Sequence, residues 1–258
     1  QMKVVGIAGY SKSGKTTLII NLIKEFQKRD KKITVIKHRS CGLLKNCPRL
    51  SEDKNSEEHH CEVIPETDDK DTQKYSALGV STLLFSHNEA HAVWKREFTF
   101  EELLSHVDTD IVVVEGNKGA RNYPRIICTD GKESAENLFV GLELAQYGKK
   151  IYPLSNVPQV NDVKELCNII ETRGFKLPDL NCGECGYNDC YELGKAIVKG
   201  EKKIEDCLSL HNNDIKVWLD GKELPMKKFV RDCFHGTITG FLKSLKGVHK
   251  QGSVKIEF

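Results

Sequence analysis

The chain has 258 residues, of which 39% are hydrophobic and 29% charged, with a formal net charge of +2. At about 150 residues per domain, that length accommodates one α/β domain and a smaller module, and the balanced charge argues against strong attraction to nucleic acid or a membrane surface. No apolar run approaches a membrane span and no signal peptide is in view, so the ten cysteines point to metal or redox chemistry in the cytoplasm rather than to disulfides.

Val4-Val5-Gly6-Ile7-Ala8 reads as a short buried strand. It runs into Gly9-Tyr10-Ser11-Lys12-Ser13-Gly14-Lys15-Thr16, which opens a helical pattern with apolar residues at 18, 19, 22, 23 and 26. Strand, glycine-rich loop and helix start are the context a phosphate loop requires. Backbone N–H groups and the positive end of the helix converge there on a polyphosphate. Lys15 is expected to reach the β- and γ-phosphates and Thr16 to hold Mg²⁺, while Lys12 either touches phosphate or points to solvent. Lys32–His38 reads as a second strand. Arg39–Lys70 is polar and holds Cys41, Cys47, His59, His60 and Cys61, and is expected to be a long mobile loop or an insertion. Those thiols and imidazoles are irregularly spaced, which favours reduced loop thiols over a second metal site.

Asp71–Leu78 reads as a short helix, followed by strands at Ser81–Ser86 and His91–Trp94. Thr99 and Glu102 have the spacing of a capping box for a helix to Ser105. Asp110–Val114 has the continuous β-branched pattern of a strand buried on both faces. Glu115 at its end is the best candidate for the carboxylate that positions metal or water in phosphoryl transfer, the alternative being a solvated strand end. Asp71 reads either as a switch residue sensing the γ-phosphate or as a plain helix N-cap. Strands are expected at Arg125–Cys128, Leu138–Val140 and Lys150–Tyr152, then a helix over Asp162–Thr172. Alternating strands and helices give a doubly wound α/β fold with a mostly parallel sheet.

Beyond Gly174 the pattern changes. Cys182-x2-Cys185-x4-Cys190 and the later Cys207 place four thiolates around glycines, in loops whose backbone N–H groups can face sulfide. Zinc is the competing occupant. Cys128, Cys167 and Cys233 read as small core residues, and Trp94, Trp218 and Phe229 as packing residues. Strands about Asp220-Gly221, a helix over Met226–Leu245 and a strand at Ser253–Phe258 would complete a small β-β-α-β unit. Domains are thus expected at 2–174, 175–210 and 211–258.

Gly9–Leu18, Val35-Ile36-Lys37-His38, Lys70-Asp71-Thr72 and Val114-Glu115-Gly116-Asn117-Lys118 running to Tyr123-Pro124-Arg125-Ile126 together resemble the MobB family. These are GTP-binding P-loop adaptors of molybdopterin-guanine dinucleotide biosynthesis, and the resemblance covers roughly residues 2–172. It implies Gly9, Ser13, Gly14, Lys15 and Thr16 on phosphate, and Lys12 and Thr17 of the same stretch are further candidates for nucleotide binding. It further implies Thr16, Asp71 and Glu115 near Mg²⁺, and Lys118 and Arg125 around the cleft. It also implies a homodimer and a MobA-like guanylyltransferase or a molybdenum or tungsten enzyme as partner. The segment after His38 is longer than is usual in the family. Asn117-Lys118-Gly119-Ala120 lacks the aspartate of a guanine-reading motif, so GTP over ATP rests on the resemblance alone. Pro178 to Cys190 and Cys207 resemble the small 4Fe–4S domain of corrinoid iron–sulfur proteins and of the RnfB component of electron-transport complexes. A weakly hydrolysing GTPase adaptor carrying a 4Fe–4S cluster is the function this implies. The alternatives are a nucleotide-driven metallochaperone or reductive activator, and a non-catalytic adaptor.

Overall fold

The computed structural model describes residues 2–38, 70–94, 96, 98–129, 131–148, 152, 154, 156–211, 217–219, 222–224 and 226–245. Strands β1 (Lys3–Gly9), β2 (Ile33–Lys37), β5 (Ile111–Glu115), β6 (Arg125–Cys128) and β7 (Glu143–Tyr147) form one parallel sheet in the order β2-β5-β1-β6-β7. The chain moves first to one side of β1 and later to the other, so the carboxyl end of β1 sits where strand order reverses. Open α/β sheets hold their ligands at that position.

Both sheet faces are covered, which is why β1 and β5 read as unbroken apolar runs. On one face Val5, Ile7, Ile111 and Val113 pack under Leu18, Leu22 and Phe26 of α1 (Lys15–Lys28) and Leu166 and Ile170 of α5 (Val163–Arg173). On the other, Val4, Val112 and Val114 meet Phe100 and Leu104 of α3 (Phe100–Ser105), and Ala8 and Ile127 meet Leu138 of α4 (Lys132–Leu138). The Thr99–Glu102 capping box forms in both directions, and Asp162 caps α5 by accepting from Lys164 N–H. The expected helix near residue 71 is α2 (Lys70–Ala77). Among the described residues, strands β3 (Thr82–Phe85) and β4 (Ala90–Val93) pair only with each other, as an antiparallel ribbon apart from the main sheet.

The strand expected at Leu138–Val140 is not formed: Leu138 closes α4 and the fifth sheet strand is β7, five residues later. No strand includes Tyr152, and Lys150 and Ile151 lie outside the described residues. Residues 39–69 and the strand expected at 253–258 lie outside them as well.

The cysteine-bearing segment has its own small core, in which Phe175, Leu177, Cys190, Leu193 and Cys207 are buried. Helix α6 (Cys190–Lys199) rests on the P-loop domain. Its Tyr191 hydroxyl donates to Val140 O, Gly194 faces Leu142, and Leu177 N–H donates to Asn122 O at 2.7 Å. After a 3-10 turn (Ile204–Asp206) and α7 (Leu208–His211), a short hairpin of β8 (Trp218–Leu219) and β9 (Lys222–Glu223) leads to α8 (Lys228–Ser244). Cys128 and Cys167 are core residues, and burial pushes both thiols up to about 12. Cys233 and Phe229 are not: both are exposed on α8, whose only buried residue among those described is Arg231.

Candidate functional site

The loop Gly9–Thr16 is built by close approach and by unusual backbone angles. A Cβ on Gly9 would strike Ser13 Oγ and lie 2.9 Å from Cys128 O on the adjoining strand, so only glycine fits there. Gly14 caps α1 at φ +90° and Lys12 is at φ +65°. No side chain caps α1 and its first turn carries no acid, which leaves the positive helix end open to an anion. Ser13 Oγ is buried without a hydrogen-bond partner, the kind of orphan that a phosphate oxygen satisfies. Gly9→Ala is expected to weaken nucleotide binding at least tenfold and to cost about 1–3 kcal/mol of stability by overpacking, measured by nucleotide titration and urea unfolding.

Lys15 Nζ donates to Tyr10 O at 2.6 Å, so the ammonium is held at the loop. Lys118 reaches it from the loop after β5, its ammonium 4.0 Å from the centroid of the Tyr10 ring. Burial, and then the charge of Lys15, hold Lys118 below the usual lysine range. Two cations that disfavour one another call for a polyanion between them. Thr16 and Thr17 are exposed at the start of α1. Glu115 ends β5 in register with Ile7 of β1, one strand from the loop, with its side chain 15% exposed and Lys37 Nζ 3.9 Å away. Gly116 follows at φ +87°, where a Cβ would lie 2.7 Å from His38 O. The turn therefore packs directly on the end of β2.

Arg125 and Glu143 hold this region from below. Arg125 is buried and donates to the carbonyls of Lys118 (3.2 Å) and Ala120 (2.5 Å). Glu143 is buried and accepts from Val140 N–H and Gly141 N–H, each at 2.8 Å. Burial holds Arg125 below the usual guanidinium range and pushes Glu143 up, and their mutual attraction only partly offsets this. Arg125→Met is expected to destabilise the fold by about 1–3 kcal/mol for each carbonyl it leaves unpaired, those of Lys118 and Ala120, and it also removes the charge that partly offsets the burial of Glu143. Chemical denaturation measures the loss, and Glu143→Gln should be the milder change.

Cys182, Cys185, Cys190 and Cys207 line one small cavity with Pro178, Leu193 and Ser209. Asp179, Asn181, Gly183 and Gly186 all have positive φ, between 48° and 85°, which curls the backbone around the thiols. Asn181 Oδ1 accepts from Cys190 N–H at 2.9 Å, and Asp189 caps α6 through Glu192 N–H at 2.8 Å. Burial pushes Cys207 up to about 11 and raises Cys190. Backbone groups of Leu210 and Ser209 oppose this at Cys207, and those of Asn181, Asp179 and Leu180 at Cys190. Donors aimed at buried sulfurs suit an anionic iron–sulfur cluster. Among the described residues, no three His, Cys, Asp or Glu side chains close on a single-ion position.

Asp71 falls in the first turn of α2 and so is not its cap, and its side chain lies outside the described residues, as do Cys41, Cys47, Cys61, His59 and His60. Sequence reasoning missed the pair that joins α8 to the cysteine loop. Glu184 accepts from Lys228 N–H at 2.5 Å and lies 3.9 Å from the buried Arg231. No local pattern links residues 44 apart.

Residues 4–60 match the family described as "Molybdopterin guanine dinucleotide synthesis protein B", and residues 177–209 the family described as "Putative Fe-S cluster". A Methanocaldococcus jannaschii protein named "Putative molybdopterin-guanine dinucleotide biosynthesis adapter protein" is 31% identical over 99% of this chain and 97% of its own. A Buchnera aphidicola protein of an ion-translocating oxidoreductase complex is 37% identical over 54 residues, 21% of this chain and 26% of its own. The crystal structure of Bacillus subtilis MobB superposes with a TM-score of 0.50 at 21% identity, covering 66% of this chain and 98% of that one, a likeness of fold. Among the described residues no helix is long and apolar enough to cross a membrane. The parallel P-loop domain, the cysteine-bearing domain behind it and the whole-length relative together show that this chain belongs to the MobB family of molybdopterin-guanine dinucleotide biosynthesis adapter proteins, with an Fe–S domain after the P-loop domain.

Proposed function

We propose that the protein is a GTP-binding, slowly hydrolysing adapter in the maturation of a molybdenum or tungsten pterin cofactor, and that its C-terminal domain carries a 4Fe–4S cluster. The observation that carries this reading is the uncapped start of α1, with the orphaned Ser13 Oγ and the Lys15–Lys118 cation pair facing the same loop. Gly9, Ser13 and Gly14 would cradle phosphate through backbone and hydroxyl groups, with Lys12 and Thr17 beside them. Lys15 would neutralise γ-phosphate charge, and Thr16, with Glu115 and Asp71, would hold Mg²⁺ and orient water. The four cysteines would hold the cluster, which supplies one-electron chemistry or rigidity when bound. A MobA-like guanylyltransferase or a molybdenum or tungsten enzyme is the partner we propose, met by a homodimer.

The test is anaerobic purification with iron and zinc analysis, electron paramagnetic resonance before and after dithionite, and titration with GTP and ATP. Iron with a reducible signal and preference for GTP support the reading. Zinc without iron removes its cluster half, and failure to bind either nucleotide removes the other. A second reading is favoured by the docking of α6 on the loops at 118–122 and 140–142. Here nucleotide hydrolysis would gate electron or metal delivery to a metalloenzyme. The proteins that co-purify discriminate the two: a guanylyltransferase for the first, a low-potential acceptor for the second.

A further inference from the structure

Ser209 stands in α7, 27 residues beyond Cys182, and its Oγ lies 3.3 Å from the Cys182 Sγ. The usual partner of a serine hydroxyl in a helix is a backbone carbonyl of the preceding turn. Ser105 and Ser244 follow that habit, donating to the carbonyls of Glu102 at 2.8 Å and Phe241 at 2.6 Å. Ser209 instead meets a thiol in the cysteine-lined cavity. Its backbone N–H faces the Cys207 sulfur, so a single residue touches two of the four cysteines.

Either atom of the Ser209–Cys182 pair can donate while Cys182 is a thiol. A metal-bound cysteine is a thiolate and carries no hydrogen. The hydroxyl must then donate and the sulfur accept, in a charge-assisted bond. Adding one electron to an iron–sulfur cluster increases the negative charge on its sulfurs. A donor aimed at a ligand sulfur therefore stabilises the reduced state more than the oxidised one. Among the described residues that line the cavity, Ser209 is the only one besides the cysteines whose side chain can donate. Asp189, the other polar one, is an acceptor already used to cap α6. Asn181 is turned the other way, its Oδ1 accepting from Cys190 N–H.

We propose that Ser209 sets the reduction potential of the iron–sulfur cluster by donating a hydrogen bond to the Cys182 thiolate. This rests on the reading that the four cysteines hold such a cluster. One electron passes from a low-potential one-electron donor to the cluster; no bond breaks, and the proton stays on Ser209 Oγ. Ser209 is thus a residue that tunes the site without ligating it, and the fold can lose its hydroxyl without losing a ligand.

The test uses the full chain, purified anaerobically as wild type, Ser209→Ala, Ser209→Thr and Ser209→Val. Iron per chain is measured first. The reduction potential then follows from electron paramagnetic resonance at poised potentials, with titanium(III) citrate as the electron donor. Threonine keeps the hydroxyl, and valine has the shape of threonine without it, so this pair separates the hydrogen bond from packing. Alanine and valine are expected to shift the equilibrium about tenfold toward the oxidised cluster, about 59 mV for one electron, with iron retained. Threonine should stay within about twofold of the wild type. If Ser209→Ala loses iron, the threonine and valine proteins decide. The proposal is overturned if an iron-loaded alanine or valine protein keeps the wild-type potential, if threonine shifts it as far as valine does, or if all three variants lose iron. An iron-loaded wild type that cannot be reduced overturns it while leaving the cluster reading intact. A wild type with zinc and no iron overturns both.

Discussion

Lys15→Ala is expected to weaken GTP binding by about 100-fold or more and to abolish measurable hydrolysis, read by nucleotide titration and phosphate release. Removing one side of a desolvated charge pair typically costs about 2–5 kcal/mol, and 2.8 kcal/mol is about a factor of 100. The geometry explains why Lys15 matters more than Lys118. Lys15 Nζ is already held at the loop by Tyr10 O, whereas Lys118 reaches the site from another loop and is disfavoured there by burial and by Lys15. Deleting Lys15 relieves Lys118 in the free protein, so the double change Lys15→Ala, Lys118→Ala should cost less than the sum of the single ones. Retention of tight Mg–GTP binding and full turnover in Lys15→Ala would sink the phosphate-loop assignment.

What the sequence disclosed follows from where the physical signal is local. The phosphate loop was legible because Val4–Ala8 is apolar on both faces, and because the spacing of Leu18, Leu22 and Phe26 declares a buried helix face. The four cysteines were legible because ligand geometry demands short spacings. Strand β7 was hidden because its buried residues include Glu143 and Gln146, 3% and 1% exposed, which break the apolar pattern. Glu143 is buried for a local polar task, tying down Val140 and Gly141 N–H, that no hydropathy pattern announces. Leu138, expected in a strand, instead joins Ala135 on the inner face of α4, an i, i+3 pair too short to declare its period. On α8 the pattern misled in the opposite direction: Phe229 and Cys233 face outward while Arg231 is buried toward Glu184 of the cysteine loop. That orientation depends on a tertiary contact, and hydrophobicity alone selects the other face.

Cys190→Ala and Cys207→Ala should each lower bound iron by more than about tenfold in anaerobically purified protein, measured by iron analysis and electron paramagnetic resonance. Loss of an outer partner of a metal site alone costs about 10–100-fold in affinity, so loss of a ligand should cost more. The choice of alanine separates ligation from packing. Both thiols are buried with Phe175, Leu177 and Leu193, where alanine keeps an apolar contact and serine would bury an unpaired hydroxyl. Cys182 and Cys185 are half-buried at the rim of the same cavity, so their alanine variants should lose iron with less effect on the apo fold. Cys233→Ala, on the exposed side of α8, should keep its full iron content and serves as the control. A cluster that survives removal of Cys207 would mean that the four thiols do not act as one ligand set, and the donors facing Cys190 and Cys207 would then be features of packing alone. Loss of iron from the four cavity variants but not from Cys233→Ala would instead tie the metal to the domain that rests, through Tyr191 and Gly194, on the same loops that Arg125 and Glu143 brace.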